Sequence, residues 1–134
     1  MSFICGLLAL ALCVGGFSCT IDVMEYNAKI ERGGFWDMSA RPGDFVVFNN
    51  PSPKIGTRYD EEFFQTRQLV LVVIDQGSGN VKHELASVKF RDGALELTVE
   101  RSSPPFQTMD FVTTTLWLEL DKNHLTNNVV VCYK

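Results

Sequence analysis

The stretch Tyr59 to Gly79, YDEEFFQTRQLVLVVIDQGSG, constrains the fold more than any other part of the chain. Its centre, Gln68-Leu-Val-Leu-Val-Val-Ile74, is a continuous apolar run without period-2 alternation, the pattern of a central strand covered on both faces. Leu69, Leu71 and Val73 then face one way, and Val70, Val72 and Ile74 the other. Ahead of the run, Asp60 can cap a short helix of about Asp60 to Gln65, with Glu61 and Glu62 in the first turn near the positive end of the helix dipole. Phe63 and Phe64 would anchor that helix on the sheet. Behind the run, Asp75-Gln-Gly-Ser-Gly-Asn80 reads as a hairpin connection, with glycines where positive φ is needed.

The segments that follow read as strands pairing onto this one. In Val81 to Phe90, the residues Val81, His83 and Leu85 share one side, but Val88 and Phe90 have the opposite parity. A bulge near Ala86-Ser87 reconciles them. Arg91-Asp-Gly93 is a turn of the Asp-Gly type. In Ala94 to Glu100, Leu95, Leu97 and Val99 face inward, while Glu96, Thr98 and Glu100 face outward. Pro104 and Pro105 fix a loop. In Thr113 to Leu120, Thr114, Leu116, Leu118 and Leu120 form one row and Thr113, Thr115, Trp117 and Glu119 the other. Asp121 to Leu125 suggests one helical turn, and Val129 to Tyr133 a last strand.

Residues 20–56 carry weaker patterns. Thr20 to Tyr26 reads as a strand or as part of a tether. Arg41-Pro-Gly-Asp44 signals a turn, and Phe45 to Phe48 a short strand. Phe35 and Trp36 read as core rather than as an exposed patch. The expectation is therefore a mainly β domain with minor α content: an antiparallel sheet of four to six strands with one or two short helices. It would span residues 57–134, preceded by a tether or extension with a short strand over 19–56 and a signal peptide over 1–18.

That signal is the charge-free run Phe3 to Phe17, FICGLLALALCVGGF. A membrane span needs roughly 20 apolar residues, so this run suits the apolar region of an export signal. Small residues at Gly16 and Ser18 place cleavage before Cys19. Cys19 is then a candidate for lipidation, or for a disulfide with Cys132, and the protein would be secreted or held in the cell envelope. If the run is instead a buried segment, the protein is cytoplasmic and its thiols stay reduced.

The 134 residues include 46% hydrophobic and 21% charged residues, enough for one packed domain and not two. The net charge of −4 and the scatter of Lys and Arg disfavour nucleic acid, which needs a clustered basic surface. No Cys/His spacing fits zinc, and no cofactor motif is present. The neutral-pH bases are His83 and His124. Neither lies near a nucleophile in sequence, so no catalytic residue is assigned. The acidic triplet Asp60-Glu61-Glu62 reads as helix capping rather than as a metal site, and Cys132, after three valines, as a buried thiol. Phe106, Met109, Phe111 and Trp117 are the candidates for a partner surface, with core packing as the other explanation.

The order YDEEFF, LVLVVIDQGSG, KHELASVKFRDGALELTVER, the proline loop with Thr108-Met-Asp110, TTTLWLELDK and a terminal VVV strand resembles the PrcB C-terminal domain family over Tyr59 to Tyr133. The resemblance implies a non-catalytic, extracytoplasmic protein that binds or stabilises a protein partner, a cell-surface protease complex in the family's namesake. Membrane contact would come only through a lipid on Cys19. Ser78-Gly79-Asn80 departs from the Ser-Gly-Gly or Ser-Gly-Ser turn of that family, and Leu116-Trp117 stands where its namesake has Pro-Tyr. The alternative function is a small secreted hydrolase with a carboxylate/His site.

Overall fold

The computed structural model describes residues 20–22, 25–33, 35–36, 39–77, 79–91, 93–123 and 126–134. The expected signal segment, Cys19, His124 and Leu125 lie outside these residues. Eight strands form two four-stranded sheets: β1 (Thr20–Asp22), β2 (Tyr26–Arg32), β3 (Phe45–Phe48), β4 (Arg67–Gly77), β5 (Lys82–Arg91), β6 (Ala94–Ser102), β7 (Val112–Asp121) and β8 (Asn128–Tyr133). One sheet has the order β1-β5-β6-β8, the other β2-β7-β4-β3. Among the described residues, helical structure is confined to a turn of 3-10 helix at Pro53–Ile55 and to α1 (Glu61–Phe64). The chain is mainly β, as its sequence indicates. Its strands outnumber the expected four to six because residues 20–56 contribute three of them. β2 pairs along its full length with β7, and β3 with β4, so this segment belongs to the sheets rather than to a tether.

The sheets pack face to face over one core. Val70, Val72 and Ile74 of β4 and Leu116, Leu118 and Leu120 of β7 meet Leu95, Leu97 and Val99 of β6, Val88 and Phe90 of β5, and Val129 of β8. The outward row of β6, Glu96, Thr98 and Glu100, stays half-exposed on the far face of its sheet. The second sheet is covered on its other face too. Leu69 and Leu71 of β4 lie beneath Ile55, Tyr59 and Phe64, with Phe35, Trp36, Phe48, Phe63 and Trp117 around them. β4 is thus buried on both faces, which is why its sequence shows no alternation. The α1 cap forms as read: the Asp60 carboxylate accepts from Phe63 N at 3.0 Å.

Two bulges set the register. The β5–β6 pairing shifts between Leu85 and Ser87, where the change of parity demanded it. A second shift, between Val73 and Asp75 of β4, leaves Ile74 unpaired and brings Asp75 opposite Thr114, on the inner row.

Three local expectations need correction. β8 runs parallel to β6, not antiparallel. β7 ends at the pole of the sandwich where β6 begins, so a chain crossing there to the other sheet runs alongside β6 in the same direction. Asp121 to Asn123 is a turn rather than a helix: Asp121 Oδ1 accepts from Asn123 N at 2.8 Å, an Asx turn that competes with helix formation. Cys132 is exposed, because its place on β8 points it away from the sandwich.

Candidate functional site

The connections β4–β5 and β6–β7 lie at the same pole of the sandwich, where the chain ends of β2 and β8 also arrive. Residues 103–111 join β6 to β7 there. Asn80, in the neighbouring turn, holds this loop from both sides. Its amide donates to Phe106 O at 2.8 Å and its carbonyl accepts from Thr108 N at 3.3 Å. Asp110 Oδ1 accepts from Gly79 N at 3.2 Å and from the Thr108 hydroxyl. The Thr108 hydrogen bond foremost, and then the Gly79 N–H, hold the Asp110 carboxyl below the usual carboxylate range. Gly79 serves closeness here rather than positive φ, and a larger residue would have to push the Asp110 carboxylate aside. A Cβ at this position would stand 2.4 Å from Asp110 Oδ2.

On this braced loop Phe106, Met109 and Phe111 expose 87%, 101% and 70% of their surface. They are three of the four residues that the sequence marks for a partner surface. The fourth, Trp117, is not brought to them. It lies well along β7 on the covered face of its sheet, stacked on Tyr59 at 6.1 Å, with Lys29 Nζ 4.7 Å from its ring centroid. Trp117 therefore follows the core explanation, while the loop residues do not pack inward.

Beneath the loop, the inner rows of both sheets end in polar residues. Asp75 Oδ2 lies 2.7 Å from His83 Nε2 and 3.2 Å from Arg101 Nε. A carboxylate only accepts, so Nε2 is the protonated ring nitrogen. The other Asp75 oxygen accepts from Gln76 N at 2.9 Å. The Arg101 guanidinium sits 5.5 Å from the Tyr133 ring centroid, and the Tyr133 hydroxyl donates to Ile74 O. This cluster ties β4 of one sheet to β5, β6 and β8 of the other. The His83 side chain is only 3% exposed. Sequence reasoning singled out His83 but missed Asp75 and Arg101. Arg101 could have been found, since it continues the inward row Leu95, Leu97, Val99. Asp75 could not, because its orientation depends on the bulge.

A second polar group lies under the outer layer. Glu119, nearly buried, accepts from the Tyr59 hydroxyl at 3.1 Å and from Asn27 Nδ2 at 3.4 Å, with Arg58 at 3.4 Å and Arg67 at 3.8 Å. Burial first, and then the charge of Glu119, push the Tyr59 phenol up to about 12. The folded pKa lies above the unfolded value of about 10. The folded state therefore binds more protons between these values, and its stability falls as pH rises from about 10 through 12. Titration of tyrosinate absorbance should show Tyr59 ionising late, and Glu119→Gln should bring it earlier.

A cavity of about 420 Å³ opens beside β3, lined by Phe35, Trp36, Ser39, Ala40, Asp44, Val46, Phe48 and Lys54. Its carboxylate, Asp44, already accepts from Arg41 N at 2.9 Å. Among the described residues, no group of three His, Cys, Asp or Glu side chains could hold a metal ion, and no helix is long and apolar enough to cross a membrane.

No family model matches the chain, no curated protein matches it, and no solved structure matches it. The resemblance over Tyr59 to Tyr133 therefore rests on the motifs quoted above.

Proposed function

We propose that this is a non-catalytic protein acting outside the cytoplasm, which binds and stabilises a protein partner through the 103–111 loop. The observation that carries the reading is the exposure of Phe106, Met109 and Phe111 on a loop held rigid by Asn80 and Asp110. Large apolar side chains fixed in water are costly unless a partner covers them, and a braced loop loses little entropy on docking. An envelope protease complex is the kind of partner that the resemblance to the PrcB C-terminal domain family implies. The hydrolase alternative would centre on the Asp75–His83 pair. The burial of His83 favours the binding reading, since a general base must come within hydrogen-bond reach of its substrate.

The test is the triple variant Phe106→Ser, Met109→Ser, Phe111→Ser. Its unfolding free energy should stay within about 0.5 kcal/mol of the parent, because none of the three packs in the core. Burying each side chain contributes about 1.5–3 kcal/mol, so affinity for the partner should fall about a thousandfold or more. A partner retained in full by the folded variant would refute the assignment of this surface. Export is tested separately: mass spectrometry of the native protein should show Met1 to Ser18 removed.

A further inference from the structure

We propose that the free edge of β8 pairs with β8 of a second copy, joining two sandwiches through one continuous sheet. The inference is independent of the 103–111 loop.

Sheet edges in stable proteins are blunted by shortness, charge or proline. β1 has three residues and β3 four. β2 carries Lys29, Glu31 and Arg32. β8 is different. It has six residues, NVVVCY, with neither charge nor proline, and one side of it pairs with β6 while the other is open among the described residues. Val130 and Tyr133 are exposed large hydrophobics, and Cys132 is exposed beside them. An edge of this composition is a template for another strand.

The backbone selects the register. Lys134 N donates to Val99 O at 2.9 Å, so its N–H points to β6. Amides alternate in direction along a strand. Those of Val130 and Cys132 therefore also face β6, and the N–H and C=O groups of Val129, Val131 and Tyr133 face outward. An antiparallel match to a second copy with its twofold axis at Val131 places Val131 opposite Val131, and Val129 opposite Tyr133 of the second copy. Every outward group then finds a partner.

The side chains agree. Val130 comes opposite Cys132 of the second copy on the outer face. The half-buried Val131 pair closes the edge of the core on the inner face. Lys134 comes opposite Asn128, so no like charges meet. This self-complementarity favours a second copy over a foreign strand. The twofold sets the two 103–111 loops at opposite ends of the joined sheet.

Sedimentation of the purified chain should give a dimer at tens of micromolar, and a monomeric wild-type protein overturns the proposal. Val130→Glu with Cys132→Glu puts carboxylates opposite each other across the axis, on exposed positions that the fold does not need. Val131→Pro removes an N–H that faces away from β6. Both variants should be monomers with cooperative unfolding, and a dimer persisting in the folded glutamate variant overturns the assignment.

The register has its own readout. Residues facing each other across the axis have Cα atoms about 5.5 Å apart, within disulfide range, whereas the two Cys132 residues would be about 8 Å apart. Val131→Cys, with Cys5, Cys13, Cys19 and Cys132 changed to Ser, should form a covalent dimer on mild oxidation. Absence of that crosslink in a dimeric protein overturns the proposed pairing.

Discussion

Replacing Leu118 with alanine is expected to lower the unfolding free energy by about 3–5 kcal/mol, a large share of the roughly 5–15 kcal/mol that holds a domain folded. Leu118 is fully buried on β7, between β2 and β4, and faces the opposite sheet. Neighbours on two paired strands and across the sandwich leave little freedom to collapse into the space vacated, so the cavity term adds to the lost transfer energy. Glu96→Ala is the control. Its side chain faces away from the core and makes a partly exposed ion pair with Arg91 at 3.3 Å, which should contribute under about 1 kcal/mol. Urea denaturation of both variants measures the contrast. A Leu118→Ala loss below about 1 kcal/mol would mean that the two sheets do not share this core.

The rows that build that core are legible because burial writes period 2 into them. Leu95, Leu97 and Val99 alternate with Glu96, Thr98 and Glu100, Leu116, Leu118 and Leu120 alternate with Trp117 and Glu119, and both rows sit on the inner faces. The unbroken run of β4 is equally readable, as both of its faces are covered. Even the β5 bulge is visible, because two apolar rows of opposite parity cannot otherwise share a face.

β2 left no such trace. Most of Tyr26-Asn-Ala-Lys-Ile-Glu-Arg32 is exposed, so it carries no apolar row. Ile30 packs on the core and Asn27 and Lys29 reach Glu119 and Trp117, but the strand's pairing with β7 leaves no periodic pattern in its residues. Backbone pairing of an edge strand needs no particular residues, and charged side chains on such a strand are protective. The same blindness extends to β8. Three valines followed by Cys132 suggest a buried strand, but which neighbour it joins, and in which direction, depends on where β7 ends. In the 103–111 loop, Phe106, Met109 and Phe111 were readable as candidates for a partner surface, but sequence leaves core packing as an equal explanation, because the bonds from Asn80 and Gly79 that brace the loop are long-range.

Asp75 is the residue whose role was least visible, and its removal is the second large effect expected. Asp75→Ala should cost about 3 kcal/mol or more. It leaves the His83 imidazole, 3% exposed, without the acceptor of its Nε2 proton, and Arg101 without its carboxylate. Breaking a buried pair by removing one partner typically costs about 3–5 kcal/mol. The lower end applies here because the Arg101 head is about two-fifths exposed and can recover water. His83→Ala should cost less, as Asp75 keeps Arg101 and the Gln76 N–H. Changing Asp75 and His83 to leucine together should be milder than Asp75→Ala, because the buried imidazole is no longer stranded and the partly exposed Arg101 head can turn to water. Urea denaturation of Asp75→Ala, His83→Ala and the double alanine variant gives the coupling directly, and contacting residues with a shared hydrogen bond should show a non-additive term of about 0.5–3 kcal/mol. If Asp75→Ala falls within about 0.5 kcal/mol of the parent, the carboxylate is not what joins the two sheets at this pole.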